Sequence, residues 1–383
     1  MTETFTQYEQ IGGEPTHGEC VQVEQLAEDA EVVVDSRAHE IAEKKDAYLA
    51  RGLAQMEEYR VEYPALTRTL EQIDFSQLKG LFQERIDRVD PEYREGLRRD
   101  MPFAEKERIV TIAAQAPIPK SAANAHVDKM LITITEPVAP PPLPPMLETS
   151  EVPTTPFPEE LKRAGEAMEG LRLFHTVVHE ETHLVSSEIP EEVYETGVPT
   201  AHRSGFEYGI GGGVSDTGIG TAFKDVLYRS FNEGMTERIA QEISTEYIRR
   251  NGLGTATSAD WEKCGVGSYE REQLFVDALT ELIALDAGVP RDVVWGALND
   301  AYFTGKRPRG AVSSALDAIG ESELTETIAR LSGEGYPANT PTVHAALRQL
   351  VETGKLSTEL AEKIERAAPT TIVAPPPIPS TNT

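Results

Sequence analysis

The chain has 383 residues, of which 39% are hydrophobic, and its formal net charge is −28 at pH 7. This length is ample for one core of conventional size with accessory segments. No basic patch offsets the negative charge, which argues strongly against binding to a nucleic-acid backbone or to an anionic membrane surface. We therefore expect neither nucleic acid nor membrane among its partners.

The cysteine count and the hydrophobic runs bear on the compartment. Cys20 and Cys264 are far apart in sequence and do not form a disulfide framework. The amino terminus has no positive segment followed by an apolar one, and no run of about 18 apolar residues occurs anywhere. These features predict a cytoplasmic protein.

The first third of the chain predicts a disordered start, a helical region and then two strands. Residues 1–20 are polar and contain glycine, which predicts disorder. Residues 21–105 are highly charged, with apolar residues at helical spacing, and predict an N-terminal region of about four helices packed as a bundle. Two segments rich in β-branched residues follow, 108–113 and 130–135, and each predicts a strand.

Residues 137–158 are rich in proline and predict an extended surface segment. Because the run lacks basic neighbours, we interpret it as a spacer in preference to a binding motif for a proline-reading partner. Pro158, followed by two acidic residues, then predicts the start of a long helix.

This helix contains the sequence His-Glu-x-x-His at His179, Glu180 and His183. Residues four apart lie on the same face of a helix, so both imidazoles can bind a single zinc ion. Glu180 could take a proton from an attacking water and pass it to a leaving amine. The alternative is an amphipathic helix with two solvated histidines. His175 lies on the apolar stripe of the helix, which favours a core or supporting role over a ligand role.

A glycine-rich stretch, residues 198–221, predicts a hairpin with a flexible tip. A second helix is predicted from residue 222 to residue 250, ended by Asn251 and Gly252. Glu233 and Glu237 lie four apart on one face of it, where like charges repel unless a cation lies beside them. Gly234 indicates a close approach of another segment. The alternative is a surface helix with an acidic face.

Residues 179–183 and the run Asn232-Glu233-Gly234-Met235-Thr236-Glu237 resemble the two metal-site helices of the gluzincin branch of zinc metallopeptidases. The resemblance covers about residues 113–250. It implies one Zn²⁺ per chain bound by His179, His183 and Glu233, with Glu180 as general base and acid. It also implies that Glu237 hydrogen-bonds the free nitrogen of a ligand imidazole. Glu181 is charged where this family usually has an uncharged residue.

The fold implied is α+β and predominantly helical. A zincin-like catalytic domain would span residues 106–335, with a small sheet, the zinc helix, the glutamate helix and a helical lower half. The hairpin at 198–221 would lie where gluzincins carry the strand that contacts substrate. Further helices are predicted at 268–285, 291–303 and 311–331, a helical pair within 336–367, and a disordered proline-rich tail at 368–383.

The expected function is zinc-dependent hydrolysis of peptide bonds, as an endopeptidase acting on a peptide or protein substrate. A further donor should stabilise the oxyanion, and the sequence leaves Tyr269, His202 and Tyr247 open for that role. The N-terminal region could cover the cleft, with Cys20 as a ligand that caps the zinc. The competing interpretation is a non-catalytic helical scaffold with a vestigial or structural metal site.

Overall fold

The computed structural model is α+β and predominantly helical, as the sequence predicts. It describes residues 43, 47, 50–54, 56–94, 97, 101–114, 116, 123–126, 131–135, 159–186, 201–210, 213–214, 221–222, 225–251, 269–320 and 347–367. The segments 1–20, 137–158 and 368–383 and both cysteines lie outside these residues. No helix in the described part is long and apolar enough to cross a membrane.

The helices with defined bounds are α1 Pro64–Gln72, α2 Phe75–Ile86, α3 Glu159–Val185, α4 Arg229–Arg250, α5 Glu270–Ala287, α6 Arg291–Thr304, α7 Gly310–Gly320 and α8 Thr358–Ala367. Helix α3 is the predicted His-Glu-x-x-His helix, and α5 and α6 fall where helices were predicted at 268–285 and 291–303. The helix predicted at 311–331 is described only as far as residue 320. Of the helical pair predicted within 336–367, residues 347–352 and α8 are described.

The strands are short: β1 Arg60–Val61, β2 Ile109–Ile112, β3 Ala123–His126, β4 Leu131–Thr135, β5 Ala201–Ser204, β6 Glu207–Ile210, β7 Gly213–Val214, β8 Thr221–Ala222 and β9 Asp225–Leu227. The largest sheet has the order β1-β2-β4-β3, with β2 and β4 parallel and the two outer strands antiparallel to their neighbours. Strands β2 and β4 confirm the two predicted strands. Strand β3 was not predicted, because its Ala-Asn-Ala-His sequence has no β-branched residue.

The glycine-rich region forms two antiparallel pairs in place of the single hairpin that the sequence predicts. Strands β5 and β6 are joined by a tight turn at Gly205, whose φ is +56°, and β7 pairs with β8. The prediction that the second helix begins at residue 222 is wrong, because residues 225–227 form β9, which pairs with β6. Helix α4 begins only after Tyr228, whose left-handed φ of 60° separates strand from helix.

The described N-terminal helices, α1 and α2, belong to the cores around the central helices. Helix α1 packs against α3, and α2 packs against α4. Leu66 of α1 is buried in the same cluster as Val177 of α3, and Phe82 of α2 is buried with Met235 of α4. The apolar stripes of α1 and α2 therefore find their partners more than a hundred residues further along the chain.

Helices α4 and α5 approach each other closely at Gly234. A β-carbon built on Gly234 would lie 2.4 Å from the backbone oxygen of Glu272, a distance that real side chains do not adopt. Glycine is therefore required at this position by the packing of α5, as the sequence indicated for Gly234. The contact fixes the position of α4 against α5 at the residue that follows Glu233.

We expect Gly234→Ala to lower the free energy of unfolding by about 1–3 kcal/mol, because the backbone of α4 or α5 must shift to accommodate the methyl group. The matched control is Gly80→Ala in α2, where nothing lies within 4 Å of the added carbon. That variant should be more stable than the wild type by about 0.5–1 kcal/mol, since alanine favours the helix. Denaturant unfolding of both variants gives the comparison, and equal stabilities would refute the close-approach argument.

Candidate metal centre

Three side chains from α3 and α4 converge on one point. Because α3 packs across α4, His179 and His183 face Glu233. The Nε2 atom of His179 lies 3.3 Å from Glu233 Oε2, and the Nε2 atom of His183 lies 3.4 Å from the same oxygen. One ligand atom from each residue lies within 4.8 Å of the other two. These residues could hold a metal ion.

The distances agree with the size of a zinc coordination sphere. Bonds of about 2.0–2.1 Å in tetrahedral geometry hold ligand atoms about 3.3–3.4 Å apart. The two nitrogen-to-oxygen distances in the structure are 3.3 and 3.4 Å. The donor set of two imidazoles and one carboxylate also matches what zinc prefers. The geometry and the chemistry of the cluster therefore both fit one ion.

The charges of the cluster stabilise the anionic form of Glu233. Burial by itself would raise the pKa of this carboxyl, but the facing imidazoles of His183 and His179 hold the pKa well below its usual range. For His179 the effect of burial has the opposite sign, because burial by itself would lower the pKa of an imidazole. The hydrogen bonds of His179 to Glu233 and Glu237 outweigh burial and raise its pKa well above the usual value. The low pKa of Glu233 favours the charged form of its carboxyl, which is the form that can bind a metal ion.

Glu237 holds two histidines of α3 with its two oxygens. Its Oε2 atom accepts a hydrogen bond from Nδ1 of His179 at 2.8 Å, and its Oε1 atom is 2.9 Å from Nε2 of His175. His175 in turn lies 3.2 Å from Ser244 through its Nδ1 atom. With Nδ1–H of His179 directed at Glu237, Nε2 is the ring nitrogen that faces Glu233 and that would give up its hydrogen to bind an ion. Glu237 therefore holds the His179 and His175 rings, and neither Glu237 nor His175 belongs to the three-residue group that could hold a metal ion.

Glu180 lies beside this group and is not a member of it. Its side chain is 7% exposed and accepts a backbone hydrogen bond from Ala125 of β3. Burial raises the pKa of the Glu180 carboxyl, and the neighbouring imidazoles of His179 and His183 only partly oppose that rise. A buried acid with a raised pKa is suited to accept and return a proton.

Glu181 points away from the cluster, although the sequence suggested that it adds a negative charge near the site. Its side chain is completely buried, and Oε2 accepts a hydrogen bond from the backbone N–H of Ala104 at 3.1 Å. Burial raises the pKa of its carboxyl well above the usual value, which disfavours the extra negative charge expected near the cluster. Glu181 contacts Ala104 because adjacent residues on a helix face different sides.

The three candidates for oxyanion donor lie in different surroundings. The ring of Tyr269, at the start of α5, stacks on the ring of His179 with a centroid distance of 5.1 Å. The charge of Glu233, burial and the charge of Glu180 raise the pKa of this phenol well above 10, so it keeps its proton. Tyr247 instead accepts a hydrogen bond from the backbone N–H of Asp74 at 2.7 Å, away from the cluster. His202 lies in β5 opposite Gly209, and its side chain is outside the described part.

Several residues at the cluster were not singled out from the sequence. Asn232 accepts a hydrogen bond from the backbone N–H of Phe206 at 2.8 Å, which fastens the turn between β5 and β6 to α4. Thr236 lies 3.5 Å from His183 and 2.7 Å from the hydroxyl of Tyr302. Thr236 lies within the run that resembles the glutamate helix, which was an available signal. No sequence pattern pointed to Tyr302, because it lies 66 residues further along the chain.

Known proteins offer no independent guide to this site. No protein-family model, no curated protein and no solved structure matches the chain. The role of the cluster is therefore argued from the positions and charges of its own residues.

The different positions of Glu233 and Glu237 give a direct prediction. Glu233→Ala should abolish metal binding almost completely, because it removes one of three ligands. Glu237→Ala should weaken binding by about 10- to 100-fold, as is typical when a group that orients a ligand is lost. Competition with a chelator of known affinity measures both effects.

Glu242→Ala is the matched control for this pair. Glu242 lies on the same helix, is 42% exposed and pairs with Arg85 at 2.6 Å, remote from the ligand atoms. Its loss should leave metal affinity unchanged. Tight metal binding by Glu233→Ala would contradict the assignment of ligands.

Proposed function

We propose that this protein is a zinc-dependent metallopeptidase of the gluzincin type, which hydrolyses peptide bonds in a peptide or protein substrate. The observation that carries the proposal is the position of Glu233 Oε2, 3.3 and 3.4 Å from the Nε2 atoms of His179 and His183. A buried carboxylate, Glu180, lies next to this group without joining it. A ligand set with an adjacent, unused acid is the arrangement that metal-assisted hydrolysis needs.

The number of ligands favours a catalytic over a structural site. Structural zinc sites usually have four protein ligands, whereas catalytic sites have three and an open position. Among the described residues, the ligand group has three members. This count supports the enzyme over the alternative of a scaffold with a structural metal. A bound zinc ion would supply an acidic water and polarise the carbonyl of the substrate.

Glu180 is the proposed general base and acid. It takes a proton from the attacking water and later gives that proton to the amine that leaves. The backbone N–H of Ala125 donates a hydrogen bond to its carboxylate and thereby restricts its orientation. Burial supports the second step, because a raised pKa favours the protonated form that the leaving amine requires.

Strand β3 is the proposed backbone partner of the substrate. It is an outer strand of the four-stranded sheet, packs against α3 and contacts Glu180 through Ala125. Within the described residues, no strand pairs with its other edge. An extended peptide could add there as a further strand, in line with Glu180. The turn between β5 and β6 is instead held against α4 by a hydrogen bond from Phe206 to Asn232. We therefore favour β3 over the hairpin at 198–221 as the strand that pairs with substrate.

Tyr269 is the proposed donor to the oxyanion. Its ring stacks on His179, and its phenol keeps a proton because the charges of Glu233 and Glu180 and burial raise its pKa. A neutral phenol beside the ligands can donate a hydrogen bond where negative charge develops on the substrate carbonyl. The hydroxyl of Tyr247 instead faces the backbone N–H of Asp74, and within the described residues it makes no hydrogen bond to the three ligands.

The general-base assignment predicts that Glu180→Gln keeps one zinc ion per chain and loses peptide hydrolysis. The amide cannot accept a proton at neutral pH, whereas the three ligands are unchanged. Metal analysis of the purified variant and cleavage of a mixed peptide library measure the two properties. The matched control is Glu181→Gln, the same change one residue on, which replaces a buried carboxyl outside the ligand group and should keep both properties. Residual hydrolysis by Glu180→Gln near the wild-type rate would remove Glu180 from the mechanism.

The oxyanion assignment predicts that Tyr269→Phe lowers kcat by about 10²- to 10³-fold, the usual effect of removing one such donor. KM and zinc affinity should change little, because the ring that stacks on His179 is retained. Tyr247→Phe is the matched control and should leave kcat unaltered. Steady-state kinetics on one cleaved peptide decide the matter, and equal kcat values for the two variants would exclude Tyr269 as the donor.

A further inference from the structure

The two ligand histidines are held in different ways at their Nδ1 atoms. Nδ1 of His179 contacts the carboxylate of Glu237 at 2.8 Å. Nδ1 of His183 faces a hydroxyl, Oγ1 of Thr236, at 3.5 Å. Thr236 is completely buried, and so is Tyr302, whose hydroxyl lies 2.7 Å from the same Oγ1 atom.

We infer that Thr236, supported by Tyr302 of α6, is the positioning residue that sets the tautomer and the direction of the His183 ring. This inference rests on the metal site of the proposed function. It adds two residues to the centre, neither of which contacts the ion itself. It also makes α6, which lies outside the two motif helices, a part of the metal centre.

The argument depends on where the single proton of the Thr236 hydroxyl goes. Oγ1 lies 2.8 Å from the backbone oxygen of Asn232 and 2.7 Å from the Tyr302 hydroxyl. Both are closer acceptors than Nδ1 of His183 at 3.5 Å. Whichever of the two takes the proton, Oγ1 has a lone pair left for His183. Nδ1 of His183 must then carry the hydrogen, which leaves Nε2 with the lone pair that a metal ligand needs.

Tyr302 keeps the Thr236 hydroxyl in this arrangement. Its hydroxyl lies between Oγ1 of Thr236 and the backbone oxygen of Thr182, which is 3.3 Å away. Its ring leaves no room for a side chain at Gly205, because a β-carbon there would lie 2.6 Å from it. Burial raises the pKa of the Tyr302 phenol, so it stays a neutral donor. Tyr302 is therefore fixed on two sides and cannot turn away from Thr236.

A neutral partner for His183 is consistent with the charge of the centre. Glu233, Glu237 and Glu180 already place three carboxylates in a buried space near one site. A fourth carboxylate on Nδ1 of His183 would add a further negative charge to this space and raise the cost of burying it. A hydroxyl gives direction to the ring without adding charge.

The test is the zinc affinity of the full-length chain, measured by chelator competition for Thr236→Val and Thr236→Ser. Valine keeps the shape of threonine and removes the acceptor, so we expect zinc affinity to fall about tenfold. This is the lower end of the usual effect, because the contact at 3.5 Å is long. Serine restores the hydroxyl and should recover affinity to within about twofold of the wild type.

Thr280→Val is the matched control. Thr280 is buried in α5, and its hydroxyl donates to the backbone oxygen of Val276 at 2.7 Å, the same bond to the preceding turn that Thr236 makes. It does not contact the histidines, so its loss should leave zinc affinity unaltered. Thermal melting of the metal-free variants separates loss of zinc from loss of the fold. If Thr236→Val does not fold, Tyr302→Phe is the deciding variant. Its zinc affinity should fall by more than that of Thr236→Ser and by less than about tenfold.

The Nδ1–H group of His183 provides a second readout. Nitrogen NMR of histidine-labelled, zinc-loaded protein should show this Nδ1–H hydrogen-bonded in the wild type and in Thr236→Ser, and without that hydrogen bond in Thr236→Val. Equal zinc affinities of the wild type and Thr236→Val, or the same Nδ1–H signal in both, would overturn the inference while leaving the proposed zinc site intact. A wild-type chain that binds no zinc would overturn both.

Discussion

The charge balance between α3 and α4 is the constraint on which the rest of the structure depends. Glu233 and Glu237 lie four apart on α4, where Glu237 is buried and the side chain of Glu233 is 13% exposed, so each carries a desolvation penalty that can reach several kcal/mol. The three histidines of α3, spaced four apart, lie opposite and contact these carboxylates. Each helix alone would be unfavourable to bury. Packed together, they form a site that is already arranged for a cation.

The surrounding elements keep these two helices in register. Gly234 allows the backbone of α5 to lie where a side chain of α4 would otherwise be. The start of α5 also places the ring of Tyr269 against the ring of His179. The turn between β5 and β6 is fastened to Asn232, one residue before a ligand. Strand β3 contacts Glu180 from the opposite side. The residues of the His179, His183 and Glu233 cluster and their neighbours are therefore contacted by elements from different parts of the chain.

Helix α3 separates two neighbouring acids into different environments. Glu180 faces the imidazoles and β3, whereas Glu181 is buried against Ala104. The pKa values of both carboxyls are raised by burial, but only that of Glu180 is opposed by the charges of His179 and His183. The same residue type thus serves two purposes one position apart, since successive residues on a helix point in different directions.

The sequence by itself determined the helix that carries His179 and His183, the helix that carries Glu233, and two of the strands, because these features depend on periodicity within short segments. It could not determine that α4 starts at Arg229, since β9 forms only because β6 is there to pair with it. Nor could it show that Glu181 is turned away, or that a tyrosine on α6 reaches Thr236. Those facts depend on which segments meet in three dimensions, and contacts between distant segments leave no periodic trace in a single sequence.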